Sequence, residues 1–327
     1  MGIIEVTDLK KEFRLKRRHK NAFRTFFDRK YDICKAVDGI TFSVEPGEAV
    51  GFVGPNGAGK STTIKMMTGI LEPTAGTVRV LGRDPCKNRK ENARHIGVVF
   101  GQRSQLWWDL PVADSFELLA KIYDVPEKKY REKIEMFKDV FAIDAFWNQP
   151  VRQLSLGQKM RAEFSASLLH SPEVIFLDEP TIGLDVVVKN EIRAFIRKIQ
   201  AESNTTIILT THDMRDMEEI CDRLIMIDHG RLLIDDTVNA VKARYGSTLA
   251  LEVMFVAPVS TLILPDGCCC QQVAANKWRI EFDHRQFTAN DILNSITPQY
   301  PVNDMRVVAP DIEDIIRNLY TSKENTL

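Results

Sequence analysis

The chain has 327 residues, enough for one large domain or two unequal ones. Its hydrophobic fraction of 44%, charged fraction of 27% and net charge of −1 are typical of a soluble globular protein and do not indicate a nucleic-acid-binding one. The N-terminus lacks the pattern of a signal peptide, and the most apolar stretch, residues 249–264, is interrupted by Glu252 and Pro258. We therefore expect no membrane span, so that any role at a membrane depends on a partner.

The cysteines do not indicate a disulfide framework. They are six, with no C-x-x-C pair, and three of them are consecutive: Cys34, Cys86, Cys221, Cys268, Cys269 and Cys270. Free thiols are typical of a cytosolic protein, and the consecutive cysteines favour a strand with small apolar residues over a metal site.

The N-terminal region combines two predicted strands, at residues 4–13 and 36–44, with a basic insert at residues 14–31. Aromatic residues recur in the insert at helical spacing, namely Phe23, Phe26, Phe27 and Tyr31, which predicts a basic amphipathic helix. Two interpretations remain open. The aromatic face packs on the domain's own core, or it lies against a membrane surface or a membrane partner.

A phosphate-binding motif follows the next predicted strand, residues 49–53. The motif G-x-x-x-x-G-K-[ST] is matched by Gly54, Pro55, Asn56, Gly57, Ala58, Gly59, Lys60 and Ser61, and Thr62 continues into a predicted helix. In such a loop the backbone N–H groups and the helix N-terminus bind phosphate oxygens. We expect Lys60 to reach the β- and γ-phosphates and the Ser61 hydroxyl to bind Mg²⁺. The motif predicts binding of a nucleoside triphosphate.

Strands and helices alternate beyond the motif, which predicts a parallel sheet covered by helices on both faces. Predicted strands lie at 77–82, 96–100, 174–178, 206–211 and 223–227, and residues from about 100 to 172 are mostly helical. The pattern changes near residue 246. We expect a main domain at 1–245 and a small α+β domain at 246–327, with strands at 249–256, 260–264 and 278–282 and helices at 289–296 and 311–320.

Several polar residues are placed for phosphate chemistry. Asp178 and Glu179 end an apolar strand, where one carboxylate can hold Mg²⁺ and the other can polarise the attacking water. His212 also follows an apolar strand and can contact the γ-phosphate there. Ser155 and Gly157 precede a predicted helix and form a second phosphate-binding end, which indicates that this end serves the nucleotide of another subunit.

Together these motifs make the chain resemble the ATP-binding subunits of ABC transporters. Residues 54–61 resemble Walker A, 174–179 Walker B with its catalytic glutamate, 182–185 the D-loop, and His212 the switch histidine. The signature sequence is matched by residues 154–158, including Ser155, Gly157 and Gln158. The resemblance implies an α/β P-loop NTPase cassette with a mixed sheet core, an antiparallel β subdomain and a helical subdomain.

The resemblance also implies further site residues, cofactors and partners. Phe13 is expected to stack on adenine, Gln102 to sense Mg²⁺, and Asp185 to belong to the nucleotide site. ATP and Mg²⁺ are the expected cofactors. The expected partners are integral-membrane permease subunits and a second ATP-binding subunit, as a homodimer, with no nucleic acid. The expected location is the cytoplasmic face of the cell membrane, as a peripheral protein.

The sequence departs from the family pattern at several points. Leu156 replaces the first glycine of the signature, and Ile182 stands where the D-loop often has serine. The Q-loop is the segment that carries the Mg²⁺-sensing glutamine. The strand before it is one residue longer than usual, but the spacing of the residues downstream favours Gln102 over Gln105 as that glutamine. The adjacent tryptophans at 107 and 108 suggest a protein contact surface.

Three classes of function are compatible with a P-loop, and the motifs rank them. A transporter ATPase is favoured, because the chain has one cassette and a short spacing between Walker A and the signature. The 246–327 tail resembles the C-terminal extension of drug-export ATPases that pair with ABC-2 type permeases, which favours export. The alternative is a non-transport ABC ATPase that acts on a ribosome or nucleic-acid complex. A kinase or GTPase-like switch is disfavoured by the signature and His212.

Overall fold

The computed structural model describes residues 2–16, 31–101, 104–246, 248–308 and 312–324. The chain forms two compact units, Met1–Asp236 and Thr237–Leu327. The predicted division at 245/246 differs from this grouping in one helix, Val238–Tyr245, which belongs to the second unit. The predicted domain boundaries remain predictions.

The first unit is organised around a six-stranded sheet, within the part of the chain that the structure describes, with strand order β5-β6-β7-β3-β8-β9. Its strands are β3 (Ala49–Val53), β5 (Ile96–Phe100), β6 (Val174–Asp178), β7 (Thr206–Thr210), β8 (Arg223–Asp228) and β9 (Arg231–Thr237). The neighbours β5/β6, β6/β7, β7/β3 and β3/β8 are parallel. Every residue of β3 and β7 is buried, as expected for strands covered on both faces.

A second, antiparallel sheet has the order β2-β1-β4, formed by β1 (Ile4–Lys16), β2 (Tyr31–Val44) and β4 (Ala75–Val80). One hydrophobic core joins it to the large sheet and to helix α1 (Lys60–Met67). Phe42 of β2 meets Phe52 of β3 edge to face, with ring centroids 5.3 Å apart. This shared core fixes the start of α1, and with it the P-loop, against the ends of the large sheet.

The described residues of the first unit also form six further helices. They are α2 (Arg89–Ala93), α3 (Val112–Ile122), α4 (Glu127–Phe141), α5 (Leu156–Ser167), α6 (Val186–Ser203) and α7 (Met214–Ile220). Two 3₁₀ turns, Ile143–Phe146 and Val151–Gln153, lie between α4 and α5. Phe141 of α4 packs edge to face on Phe195 of α6 at 4.4 Å.

The second unit is an α+β structure. After α8 (Val238–Tyr245), an antiparallel sheet of order β11-β12-β10-β13 is formed by β10 (Thr248–Phe255), β11 (Cys269–Ala274), β12 (Lys277–Asp283) and β13 (Val302–Val308). Helix α9 (Ala289–Ile296) packs Ile292 and Ile296 against this sheet. The last helix is α10 (Ile312–Glu324).

Two local predictions are wrong. Arg14 and Tyr31 do not belong to a helix, because β1 and β2 continue as an antiparallel pair as far as Lys16 and Tyr31. The helical interpretation of Phe23, Phe26 and Phe27 lies outside the described residues.

The second error is the strand predicted at 260–264, where the structure has irregular chain. Val259 and Leu262 are buried in the core of the second unit, and the Val259 carbonyl accepts a hydrogen bond from Trp278 Nε1. Pro258 and Pro265 flank the run, and proline cannot donate to a strand ladder. The apolar residues here therefore anchor a loop.

Among the described residues, no helix combines the length and the hydropathy that crossing a bilayer requires.

The shared core yields a stability prediction. Phe52 is fully buried between the two sheets, so Phe52→Ala should lower the free energy of unfolding by about 3–5 kcal/mol. Guanidinium unfolding followed by circular dichroism measures the change. The matched control is Ile122→Ala, because Ile122 is 58% exposed and should cost less than about 1 kcal/mol. Equal losses for both variants would contradict the shared core.

Candidate functional site

The glycine-rich loop between β3 and α1 has the backbone that phosphate binding requires. Gly57 and Gly59 have φ values of 83° and 109°, in the region that favours glycine. A Cβ added at Gly59 would lie 2.5 Å from the Ala36 carbonyl oxygen, so no other residue fits there without a shift of the backbone. Lys60 then begins α1 directly after the loop.

The Lys60 ammonium lies over its own loop. Its Nζ donates hydrogen bonds to the carbonyl oxygens of Gly54 at 2.5 Å and of Pro55 at 3.1 Å. Only 7% of the residue is exposed. Burial lowers the pKa of Lys60, while the nearby Glu179 and Asp178 carboxylates raise it. A positive charge in this position would attract an anion bound at the opening of the loop.

Asp178 lies opposite the loop at the carboxyl end of β6. Its Oδ1 accepts hydrogen bonds from Ser61 Oγ at 3.0 Å and from Thr210 Oγ1 at 2.6 Å. The parallel register places Phe100, Asp178 and Thr210 side by side at one sheet edge. The loop and the Walker B strand, which are far apart in sequence, therefore meet in one hydroxyl–carboxylate contact.

Glu179 and His212 form a pair beside Asp178. His212 Nε2 lies 2.8 Å from Glu179 Oε1. The Glu179 backbone has a φ of 54°, and its N–H donates to the Thr210 carbonyl at 3.0 Å. A cavity of about 300 Å³ opens here and is lined by Ser61, Lys65, Ile70, Phe100, Gly101, Asp178 and Glu179.

The residues of the signature motif lie outside the lining of this cavity. Ser155 caps α5, since its Oγ accepts from the Gln158 N–H at 3.3 Å while Gln158 Oε1 accepts from the Ser155 N–H at 2.9 Å. Ser155 and Leu156 are exposed. A Cβ added at Gly157 would lie 3.4 Å from a methyl group of Val188, so the signature packs against α6.

The D-loop adjoins the signature within the same chain. Asp185 caps α6 by accepting a hydrogen bond from the Val188 N–H at 3.0 Å. A Cβ added at Gly183 would lie 3.0 Å from Leu156 Cδ2, so the leucine that replaces the first signature glycine lies beside the D-loop. Ile182 is 46% exposed.

The other predicted residues have separate positions. Phe13 lies on β1 and is 38% exposed, with Lys11 Nζ 5.5 Å from its ring centroid. Asn56 is exposed, whereas Ala58 is buried within the loop. Thr62 lies within α1 and is partly exposed. Gln102 lies outside the described residues.

The chain just after residue 102 is held by a buried acid that sequence reasoning missed. Glu163 of α5 accepts hydrogen bonds from the Ser104 hydroxyl and, at 3.1 Å, from the Gln105 N–H. The Gln105 side chain donates to the Glu163 carbonyl at 3.0 Å, so it is directed toward α5. Burial raises the pKa of Glu163, and the Ser104 hydrogen bond opposes this. An acid inside a predicted helix gives no sequence signal of its burial.

Thr210 is the second omission. It ends β7 and its hydroxyl donates to Asp178, and the available signal was a threonine in the last two residues of the strand predicted before His212. The sequence alone did not show that β6 and β7 are neighbours.

Comparisons with known proteins identify the family. A family model described as ABC transporter matches residues 37–182. The chain is 35% identical over 216 residues to the probable multidrug ABC transporter ATP-binding protein YbhF of Escherichia coli, covering 66% of this chain and 37% of that protein. It therefore spans little more than a third of that relative.

Two further similar proteins are matched over a larger share of their own length. The Nod factor export ATP-binding protein I of Burkholderia pseudomallei is 35% identical over 208 residues, which is 64% of this chain and 68% of that protein. The solved structure of cbiO1 from Clostridium perfringens, described as part of the ABC transporter complex cbiONQ, is 27% identical with a TM-score of 0.60. That match covers 74% of this chain and 91% of the other. The fold is thus the predicted P-loop ABC cassette, and the chain belongs to the family of ABC transporter ATP-binding proteins.

Proposed function

We propose that this chain binds and hydrolyses ATP and thereby powers a membrane transporter. The observation that carries the proposal is the meeting of the P-loop end with Asp178 and the Glu179–His212 pair at one sheet edge. The loop and Lys60 would hold the phosphate chain. Glu179 would then take the proton of the attacking water, and His212, held beside it, would contact the γ-phosphate.

The donor set at the sheet edge fits Mg²⁺. Ser61 and Asp178 contribute hydroxyl and carboxylate oxygens, the hard ligands this ion prefers, and their oxygens lie 3.0 Å apart. Mg²⁺ is usually held by one or two carboxylates together with substrate phosphates. When bound it would neutralise charge on the β- and γ-phosphates. We propose that Ser61 and Asp178 are its ligands. Gln102, which the sequence predicts to sense Mg²⁺, is proposed as a third.

The signature supports a head-to-tail dimer. Ser155 and Gly157 lie at the exposed N-terminus of α5 and do not line the cavity of their own chain. A phosphate-binding end that its own site does not use is available to the ATP of a second subunit. We propose that the second subunit is another copy of this chain. Within the nucleotide site, we propose that Phe13 stacks on adenine.

The transport partner is inferred from the relatives. Names such as Nod factor export and multidrug transporter favour export, and the sequence of the tail favours a permease of the ABC-2 type. We propose that the chain works at the cytoplasmic face of the membrane with integral-membrane permease subunits. Co-purification with a candidate permease, such as a polytopic membrane protein whose gene neighbours that of this chain, tests this proposal. Absence of the chain from detergent extracts of every such candidate would contradict it.

The first prediction of the proposed function concerns nucleotide affinity. Lys60→Ala should weaken ATP binding by about 10- to 100-fold, because charge-assisted hydrogen bonds to phosphate are lost. Equilibrium binding of a fluorescent ATP analogue measures this. Lys87→Ala is the control, since that lysine side chain is 83% exposed. Unchanged affinity in Lys60→Ala would refute the proposed role of the loop.

The second prediction concerns the base. Glu179→Gln keeps the shape of the side chain but cannot accept the proton, so turnover should fall by about 10²- to 10⁴-fold while ATP still binds. The variant should accumulate as an ATP-bound dimer in size-exclusion chromatography. Glu173→Gln, an exposed acid paired with His95, is the control. A Glu179→Gln chain that hydrolyses ATP at the normal rate shows that another group is the base.

The third prediction tests sharing of the site. Ser155→Ala and Lys60→Ala chains should each be weak ATPases alone. Mixing them forms heterodimers with one intact site and one doubly damaged site, so part of the activity should return. Heterodimers that form without any recovery would place Ser155 outside the partner's site.

A further inference from the structure

A buried carboxylate on α7 joins the two segments that carry Glu179 and His212. Asp216 is fully buried, and its Oδ1 accepts a hydrogen bond from Arg193 Nε at 2.6 Å. Its Oδ2 accepts from Thr211 Oγ1 at 3.0 Å and also from the Thr181 hydroxyl. Arg193, Thr181 and Thr211 are themselves no more than 5% exposed.

The two threonines adjoin the reacting groups in the chain. Thr181 follows Glu179 and Pro180 at the entry to the D-loop, and Thr211 immediately precedes His212. Glu179 and His212 then meet at 2.8 Å. One oxygen of the Asp216 carboxylate therefore connects the segment that carries Glu179 to the segment that carries His212.

A second acid extends the connection to α6. The Asp213 N–H donates to Thr211 Oγ1 at 2.9 Å, and Asp213 Oδ2 accepts from Lys189 Nζ at 2.7 Å and from Arg193 Nη2 at 3.3 Å. One arginine and one lysine of α6 thus pair with both carboxylates, and Arg193 Nη1 also lies 3.5 Å from Glu219 Oε1. Since Asp185 caps the start of that helix, the cluster contacts the chain on both sides of the D-loop, at Thr181 and at Lys189.

A cluster that only joined α6 to α7 would not need hydrogen bonds to the segments beside Glu179 and His212. The ion pairs of Arg193 with Asp216 and Glu219 already join α6 to α7. The hydroxyls of Thr181 and Thr211 satisfy the second oxygen of the buried carboxylate, and they also tie it to the segments that carry Glu179 and His212.

We propose that Asp216 is a positioning residue, which holds Glu179 and His212 in register through the hydroxyls of Thr181 and Thr211. This inference rests on the proposed ATPase function. Lys60 and Ser61 have no hydrogen bond to the cluster among the described contacts. Loosening the cluster should therefore slow the chemical step while leaving ATP binding unchanged.

The test uses threonine variants of the full chain, because removing Asp216 would take from the buried Arg193 its shortest ion pair and endanger folding. Thr181→Val and Thr211→Val remove one hydroxyl each, whereas Thr181→Ser and Thr211→Ser keep it. Steady-state hydrolysis is measured against ATP concentration, and thermal unfolding is measured for each variant. Asp235→Asn is the control, because it breaks an ion pair with Arg223 that joins β8 and β9.

Each valine variant should lower kcat by about 10- to 100-fold with KM within twofold, since small misplacements of reacting groups have effects of this size. The serine variants and Asp235→Asn should retain most of the activity. A folded valine variant with normal kcat overturns the proposal. The proposal is also overturned if the serine variants lose as much kcat as the valine variants. It is overturned as well if KM rises while kcat falls.

A spectroscopic measurement separates this proposal from the ATPase proposal. In NMR spectra of the chain labelled at histidine, the ring signal of His212, assigned with His212→Ala, should shift in Thr181→Val and stay in place in Thr181→Ser. An unmoved signal in Thr181→Val overturns the positioning role. Absence of hydrolysis by the unmodified chain refutes the ATPase function, and the His212 signal still decides whether the cluster positions it.

Discussion

The contact of the Asp178 carboxylate with the hydroxyls of Ser61 and Thr210 is the interaction on which the site depends. It joins the first turn of α1, the end of β6 and the end of β7. Three segments that are distant in sequence meet there because the parallel strands β6, β7 and β3 end at one edge of the sheet. Ligand sites in open α/β sheets lie outside the carboxyl ends of the strands for the same reason.

Strands inside the large sheet could be predicted from sequence because burial on both faces requires a continuous apolar run. Residues 49–53, 96–100 and 174–178 were predicted with the observed bounds for this reason. The same rule fails for residues 260–264, where apolar side chains anchor a loop. Strand β13 was missed, because its residues are mostly exposed and show no apolar alternation.

The site could be predicted where its residues belong to local sequence motifs. The P-loop glycines, Glu179 and His212 each follow a strand, Asp178 ends one, and all stand out in the sequence. Thr210, Glu163 and Asp216 do not, since their roles arise from partners such as Ser104 and Arg193 that only the folded chain brings near. A buried acid within an amphipathic helix is indistinguishable in sequence from an exposed one.

The conformation of Glu179 shows how the sheet edge supports its chemistry. A φ of 54° is unfavourable for a glutamate by roughly 1–3 kcal/mol, so neighbouring contacts must hold it there. The Glu179 N–H binds both the carbonyl and the hydroxyl of Thr210. On the other side, a Cβ at Gly101 would lie 2.5 Å from the Glu179 carbonyl oxygen. Gly101, which follows β5, therefore leaves room for the Glu179 carbonyl at the turn where Glu179 meets His212, and a larger residue at 101 would clash with that carbonyl.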